Sequence, residues 1–118
     1  VAADMGCGRV NRGEVWTVSG GPDYAGKPRP AVILQDDHFD IIQSVTVCGF
    51  TTAGIDAPLF RLTVDPTETN GLTKPSQIMI DKITTVPRLK LGTRIGRLSD
   101  ADMVRINRAV VVFLGLAG

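Results

Sequence analysis

The stretch Arg29-Pro30-Ala31-Val32-Ile33-Leu34-Gln35-Asp36-Asp37 carries the clearest structural signal in the sequence. Its centre is a continuous run of apolar residues, which two aspartates bring to an end. A short apolar run that ends in turn-forming residues is typical of a buried β-strand. We therefore predict a strand over residues 31–35, which the chain enters through a Pro-Arg-Pro segment.

Similar short segments lie on both sides of this strand. Each is rich in β-branched or other apolar residues and is bounded by Gly, Pro, Asp or Ser. Strands this short and this closely spaced predict a compact, strongly curved antiparallel sheet or a small barrel. The six predicted strands cover residues 14–18, 31–35, 44–50, 59–64, 77–80 and 93–98.

The C-terminal part of the chain has a helical period instead. Ser99 followed by Asp102 is a helix-start pattern. We expect the helix to pack on the sheet, so that the fold class is mainly β with one helix (α+β). Five apolar residues fall on one face of this helix, namely Met103, Ile106, Val110, Phe113 and Leu114.

The composition predicts one soluble domain. The 118 residues are 43% hydrophobic and 21% charged, and the longest apolar run, at residues 109–114, is far shorter than the roughly 20 residues of a membrane span. Residues 1–11 lack the apolar centre of a signal peptide, so we expect a flexible extension there and a single domain over residues 12–118. Cys7 and Cys48 form neither a disulfide framework nor a metal-binding spacing, which favours a cytoplasmic protein.

Charge is distributed unevenly along the chain. Residues 1–70 hold 5 basic and 9 acidic groups, whereas residues 71–118 hold 8 and 3. Five of the basic residues lie at residues 82–97, where no acidic residue occurs. This segment either binds a phosphate-bearing partner or is an ordinary solvated surface, and charge alone favours the second interpretation.

The sequence contains one group of metal-ligand residue types, at Asp36, Asp37, His38 and Asp40. A solvated turn after the strand is the better interpretation of this group, and His38, the only histidine, is better interpreted as an exposed loop residue than as a general base. Gly20-Gly21 lacks the Lys and Ser/Thr of a phosphate-binding loop. We therefore predict no metal and no cofactor.

Arg29 is unusual because it lies between two prolines directly before a buried strand. The fixed φ angles of the prolines restrict the backbone on both sides, which would hold the guanidinium ready for a ligand. An arginine that only caps the strand or pairs with a nearby acid explains the pattern equally well. Thr51-Thr52 could present hydroxyls at the end of another strand, although threonine is also ordinary there.

Taken in order, four segments resemble the MazF/PemK family of toxins: Arg12-Gly13-Glu14-Val15-Trp16, residues 29–37, Val47-Cys48-Gly49-Phe50-Thr51-Thr52, and residues 76–85. The resemblance covers residues 12–114. It implies a small twisted antiparallel SH3-like barrel of the CcdB/PemK type with a C-terminal helix, assembled as a homodimer.

The resemblance also implies a function. Members of the family are metal-independent, sequence-specific endoribonucleases that cut single-stranded RNA to 2′,3′-cyclic phosphate and 5′-hydroxyl ends and thereby inhibit translation and growth. We therefore expect a cognate MazE-like antitoxin as the protein partner.

By position, Arg29 and Thr51 match the active-site arginine and threonine of the family, and Thr52 is the adjacent hydroxyl. We predict RNA contacts by Tyr24, Lys27, Thr52 and Lys82. Lys82 stands where many members have glutamine, and residues 20–28 lack the Ser-Glu-Gln type of loop that is common in the family. The RNA sequence that is cut cannot therefore be carried over from the family.

Two other functions are compatible with a small β-rich chain. A CcdB-like toxin of the same fold poisons DNA gyrase without cutting nucleic acid, but its C-terminal Trp-Gly-Ile has no counterpart in Gly115-Leu116-Ala117-Gly118. An SH3-like adaptor would need more exposed aromatic residues than one Trp, one Tyr and four Phe. The sequence favours the endoribonuclease over both.

Overall fold

The computed structural model describes residues 9–20 and 27–116, which form one antiparallel sheet and one α-helix. The fold is mainly β with a C-terminal helix, as the sequence predicted. The sheet order is β4-β5-β3-β2-β1-β6. The elements are β1 (Glu14–Val18), β2 (Arg29–Ile33), β3 (Ser44–Thr51), β4 (Arg61–Val64), β5 (Ser76–Pro87), β6 (Leu91–Arg97) and α1 (Asp100–Phe113).

Both faces of the sheet are covered, which explains the continuous apolar run in β2. Successive residues of a strand point to opposite faces. Val32 belongs to the core layer that contains α1, whereas its neighbours Ala31 and Ile33 belong to a second layer with Trp16 and Leu91. A strand that is buried on both sides needs apolar residues at every position.

The loop after β4, which is one edge strand of the sheet, contacts β6, which is the other edge strand. The Arg97 N–H of β6 donates to the Thr69 carbonyl oxygen over 2.8 Å. Gly71 has a φ of 72°, and a Cβ at this position would lie 2.0 Å from the Ile95 carbonyl oxygen. Glycine is therefore required where this loop crosses β6. The loop that follows one edge strand, β4, is thereby joined to the other edge strand, β6.

Helix α1 begins as the sequence predicted, because the Ser99 hydroxyl accepts a hydrogen bond from the Asp102 amide over 3.1 Å. Ile106 is fully buried in the core beneath the helix. The end of the predicted apolar face differs: Phe113 is 45% exposed and Leu114 is 55% exposed. The helix packs on β4 and β5, and its last turn lies at the margin of that contact, where the Phe113 ring lies 6.1 Å from that of Phe60. No helix of the described ranges is long and apolar enough to cross a membrane.

The strands agree with the predicted segments except at their ends, and β5 differs most. We predicted residues 77–80, but the strand runs from Ser76 to Pro87. The charged pair Asp81-Lys82 interrupts the alternation of apolar residues that a strand prediction depends on. The structure accommodates both residues in a bulge, because β3 pairing moves from Phe50↔Ile78 to Cys48↔Ile83.

Val10, which precedes the predicted domain boundary at residue 12, contacts the rest of the described chain. Val10 is buried, and its amide donates to Asp40 Oδ1 over 3.1 Å. Residues 1–8, including Cys7, lie outside the described residues.

The Arg12-Gly13-Glu14-Val15-Trp16 motif holds the fold together. The Glu14 carboxylate is buried, accepts from Trp16 Nε1 over 3.0 Å and forms an ion pair with Arg94 at 3.2 Å. The Arg12 guanidinium donates to the Leu34 carbonyl oxygen and to the Asn107 side-chain oxygen. These contacts connect β1 to β6 and to α1, so this part of the family signature is structural.

Candidate active site

Arg29 opens β2 and lies directly across from Val18 on β1. Its side chain is exposed, and in the described ranges it forms no hydrogen bond or ion pair. Pro30 is paired with Thr17, so the backbone that carries Arg29 is held by the sheet on one side and by proline geometry on both. Both interpretations that the sequence left open remain predictions, and the acidic partner of the second one is not found in the described ranges.

Thr51 lies at the end of β3. The β2–β3 ladder ends at the pair Ala31↔Gly49, which is two residues from Arg29 on β2 and two residues from Thr51 on β3. Arg29 and Thr51 line the same groove. The Thr51 hydroxyl accepts from the Ala53 amide over 3.1 Å, which orients the oxygen and leaves its proton able to donate.

Gln77 holds the loop that follows Thr51, a role that the sequence analysis missed. Its side-chain oxygen accepts from the Ile55 amide over 3.0 Å, and its side-chain nitrogen donates to the Ile55 carbonyl oxygen over 2.9 Å. A Cβ at Gly54 would lie 2.7 Å from the Gln77 side-chain carbon, so a side chain there would displace the Gln77 amide from this position. Gln77 also pairs with Thr51 across β3 and β5. This pairing would have pointed to Gln77, but the sequence alone does not specify it.

A groove of about 580 Å³ brings these residues together with others from β5. Its apolar lining includes the buried residues Ala31, Val47 and Gly49. Its polar lining includes three cations and two hydroxyls, namely Arg29, Lys82, Lys90, Thr51 and Thr52. Positive groups and hydroxyl donors above an apolar floor are suited to the phosphates and bases of a nucleic acid strand.

The basic segment at residues 82–97 does not form one surface. Lys82 and Lys90 line the groove. Arg88 instead donates to the Asp40 carboxylate over 2.9 Å, and Arg94 pairs with Glu14. The ordinary structural interpretation is therefore right for these two arginines, whereas the two lysines add to the positive charge that Arg29 brings to the groove.

The acidic group after β2 forms a structured turn, as we interpreted it. Asp36 accepts from the His38 amide over 2.9 Å and contacts the His38 ring nitrogen at 2.6 Å, and these bonds lower the pKa of the Asp36 carboxyl. Asp37 accepts from the Arg12 amide over 2.6 Å. In residues 9–20 and 27–116, no three His, Cys, Asp or Glu side chains gather as metal ligands.

The remaining predicted RNA contacts fall in different places. Lys82 and Thr52 are exposed in the groove. Lys27 is exposed two residues before Arg29, outside the groove lining of the described chain. Tyr24 lies outside the described residues.

Comparisons with known proteins agree with this architecture. A family model described as PemK-like, MazF-like toxin of type II toxin-antitoxin system matches residues 11–114. A probable endoribonuclease MazF from Mycolicibacterium smegmatis is 53% identical over 109 residues, which are 92% of this chain and all of that protein.

Solved structures show the same similarity. An endoribonuclease from Mycobacterial species in complex with its cognate antitoxin superposes with a TM-score of 0.76 at 25% identity, covering 91% of this chain and 96% of that one. The Mycobacterium tuberculosis toxin MazF-mt6 gives 0.73 at 26% identity, covering 86% and 96%. The alternative of a CcdB-like gyrase poison is not favoured by these matches. The chain belongs to the PemK-like, MazF-like family of toxins of type II toxin–antitoxin systems.

Proposed function

We propose that this chain is the toxin of a toxin–antitoxin pair and that it cuts single-stranded RNA as an endoribonuclease. The observation that carries the proposal is that Arg29 and Thr51 line one groove, which Lys82 and Lys90 also line. The groove therefore combines phosphate-binding charge with an oriented hydroxyl. The names of the similar proteins support the same activity.

The reaction needs no nucleophile from the protein, because RNA carries its own. The 2′-oxygen attacks the neighbouring phosphorus, the bond from phosphorus to the 5′-oxygen breaks, and a 2′,3′-cyclic phosphate remains. The 2′-hydroxyl loses a proton and the leaving 5′-oxygen gains one, so the products are a cyclic phosphate and a 5′-hydroxyl. What the protein must supply is alignment and stabilisation of a transition state richer in negative charge than the substrate.

Arg29 suits that task as an electrostatic clamp. Its planar fork gives paired hydrogen bonds to phosphate oxygens, and in the described residues no carboxylate competes for it. An arginine stays protonated in proteins, so it stabilises charge or gives a proton to the leaving oxygen instead of acting as a base. Thr51 orients the phosphate or the attacking hydroxyl through its own O–H.

Single-stranded RNA is the substrate that this chemistry requires. In-line attack needs a splayed backbone, and base edges can be read only where they are unpaired. Lys82, Lys27 and Thr52 are assigned to backbone contacts, and Tyr24 is assigned to stacking on a base. Because RNA is found in the cytoplasm, we place the activity there.

A toxic nuclease must be inhibited until it is needed. We propose a homodimer whose antitoxin covers the same groove as RNA with an acidic segment that is disordered until it binds. Inhibition should then be competitive with RNA and should weaken as salt screens the lysines. An inhibitor that leaves RNA binding intact would contradict the shared groove, and a monomer at micromolar concentration would contradict the dimer.

Sequencing of new 5′ ends tests the activity itself. The purified protein is incubated with total RNA in excess EDTA, and an identically prepared Arg29→Ala variant serves as the control. We expect cuts at a short recurring sequence, with 5′-hydroxyl ends, made by the wild type alone. Activity that is lost in EDTA and restored by magnesium or manganese would overturn the metal-free mechanism. A substrate with 2′-deoxyribose at the mapped cut site should resist cleavage, and its cleavage would show that water is the nucleophile.

A further inference from the structure

Strand β5 changes its course next to the groove. Between the pairs Phe50↔Ile78 and Cys48↔Ile83, β3 contributes one residue and β5 contributes residues 79–82. Such a bulge redirects the side chains that it carries. Lys82 is its last residue and lines the groove.

A bidentate ion pair holds the bulge from the neighbouring strand. The Arg61 guanidinium of β4 donates to both oxygens of Asp81, over 2.7 Å from Nε and 3.0 Å from Nη2. The Arg61 side chain is 9% exposed and the Asp81 side chain 23%. Two parallel bonds in a largely buried fork fix the direction of the carboxylate as well as its position.

Two further contacts fix the start of the bulge. The Ile80 amide donates to the Phe60 carbonyl oxygen over 3.0 Å, and the Cys48 thiol donates to the Met79 carbonyl oxygen over 2.8 Å. Burial raises the pKa of the Cys48 thiol to about 12, so it is protonated at neutral pH and able to donate. Residues 79, 80 and 81 are therefore held in turn by β3, by the residue before β4 and by β4, and Lys82 follows directly.

We propose that the Arg61–Asp81 pair is a positioning device that directs Lys82 to a phosphate of the bound RNA. This inference rests on the proposed function, since it assigns Lys82 a partner on the substrate. Asp81 does not touch the RNA and acts through the adjacent lysine. Lys82 has a flexible stem, so the backbone that carries it must be fixed for its ammonium group to reach one phosphate consistently.

The sign of one effect separates positioning from simple electrostatics. A carboxylate beside the groove repels RNA, so if charge alone mattered, Asp81→Asn would tighten RNA binding. If Asp81 positions Lys82, the same variant weakens binding despite the lost negative charge. Asp81→Glu keeps the charge and moves the carboxylate by one methylene, so only positioning predicts a loss.

The test measures RNA affinity and its salt dependence for the full chain. The probe is an oligonucleotide that contains the mapped cut site with 2′-deoxyribose there, and KM and kcat are measured on the all-ribose form. Lys82→Ala should lower the slope of log affinity against log salt by about 0.7, the value of one single-strand phosphate contact. Asp81→Asn and Asp81→Glu should also lower this slope, and they should raise KM more than they reduce kcat.

Asp102→Asn is the matched control. It also removes a carboxylate from an ion pair with an arginine, but that pair, Asp102–Arg105, lies on α1 and does not line the groove. It should leave the salt slope unchanged. In a Lys82→Ala background, Asp81→Asn should have no further effect on RNA affinity. If Asp81→Asn does not fold, Asp81→Glu replaces it, and its effect on RNA affinity is measured with and without Lys82→Ala in the same way.

The outcomes separate a failure of the proposed function from a failure of the positioning role of Asp81. If the wild type does not cut RNA, the proposed function fails. If it cuts and Asp81→Asn binds RNA more tightly, or if Asp81 variants weaken binding equally with and without Lys82, the positioning role is wrong. Weaker binding that depends on Lys82 supports it.

Discussion

Two sets of basic residues in this protein differ in one respect, the presence of a carboxylate within reach. Arg61, Arg88 and Arg94 each form an ion pair with an acidic side chain. Arg29 and Lys82, which line the groove, form none with another described residue. The first set joins strands and loops to one another, whereas the second set leaves its charge for a ligand.

The difference shows that residue type and net charge do not decide what a basic side chain does. Arg88 and Lys90 lie in the same three-residue turn, yet Arg88 is held by Asp40 and Lys90 lines the groove. Substitutions in the two sets should therefore separate activity from stability.

The largest effect is expected at Arg29. Arg29→Ala should lower the cleavage rate at least about 10²–10³-fold, because removal of a transition-state donor has effects of that size. The free energy of unfolding should barely change, since the exposed side chain has no partner among the described residues to lose. Cleavage of a labelled oligonucleotide and a urea denaturation curve measure the two quantities.

Arg29→Lys sharpens this prediction. It keeps the charge but cannot reproduce paired hydrogen bonds to one phosphate, so only part of the rate should return. Full activity in Arg29→Lys would show that charge alone is sufficient.

The opposite pattern is expected for Arg88. Arg88→Ala should lower the free energy of unfolding by about 2 kcal/mol, because it removes the charged hydrogen bond to the Asp40 carboxylate and the bonds to the Asp40 and Ile42 carbonyl oxygens. Lys90→Ala, in the same turn, should leave stability nearly unchanged and weaken RNA binding. If both variants affect stability equally, the division into two sets fails.

A smaller effect is expected at Thr51. Thr51→Val removes the hydroxyl while keeping the shape, so cleavage should fall about tenfold, the value of one hydrogen bond to a charged group. Thr51→Ser keeps the hydroxyl and the bond from the Ala53 amide, so its rate should stay closer to the wild type. Equal losses in the two variants would mean that the methyl group matters and the hydroxyl does not.

The sequence was informative where the signal is local. The helix start at Ser99 and Asp102 depends on neighbouring residues and was predicted correctly. The buried strand predicted at residues 31–35 exists, but it runs from Arg29 to Ile33. The bulge in β5 was missed, because Asp81 contacts Arg61 on β4 and Lys82 lines the groove, and neither position can be read from neighbouring residues.

The site could be predicted only in part for the same reason. Arg29 was conspicuous between its prolines, and Thr51 was identified through the family resemblance. That the two line one groove depends on the pairing of β2 with β3, which no local pattern specifies. The role of Gln77 depends on a contact 22 residues away in the sequence, so a glutamine in a strand gave no indication of it.

The smallest expected effect is a dependence of stability on pH, which we expect for the Arg61–Asp81 ion pair and not for Arg29. The two hydrogen bonds from Arg61 lower the pKa of Asp81 below its usual value of about 3.9. A carboxyl whose pKa is lower in the folded state stabilises the fold above the unfolded-state pKa, and this contribution is lost as the pH falls through the folded-state pKa. The difference in unfolding free energy between wild type and Asp81→Asn should therefore be constant near neutral pH and should shrink below about pH 4. Arg29→Ala, which removes a side chain with no described carboxylate partner, should show no such change between pH 7 and pH 3 in the same urea titrations. A difference for Asp81→Asn that persists unchanged in acid would mean that the carboxylate contributes through packing and not through its charge.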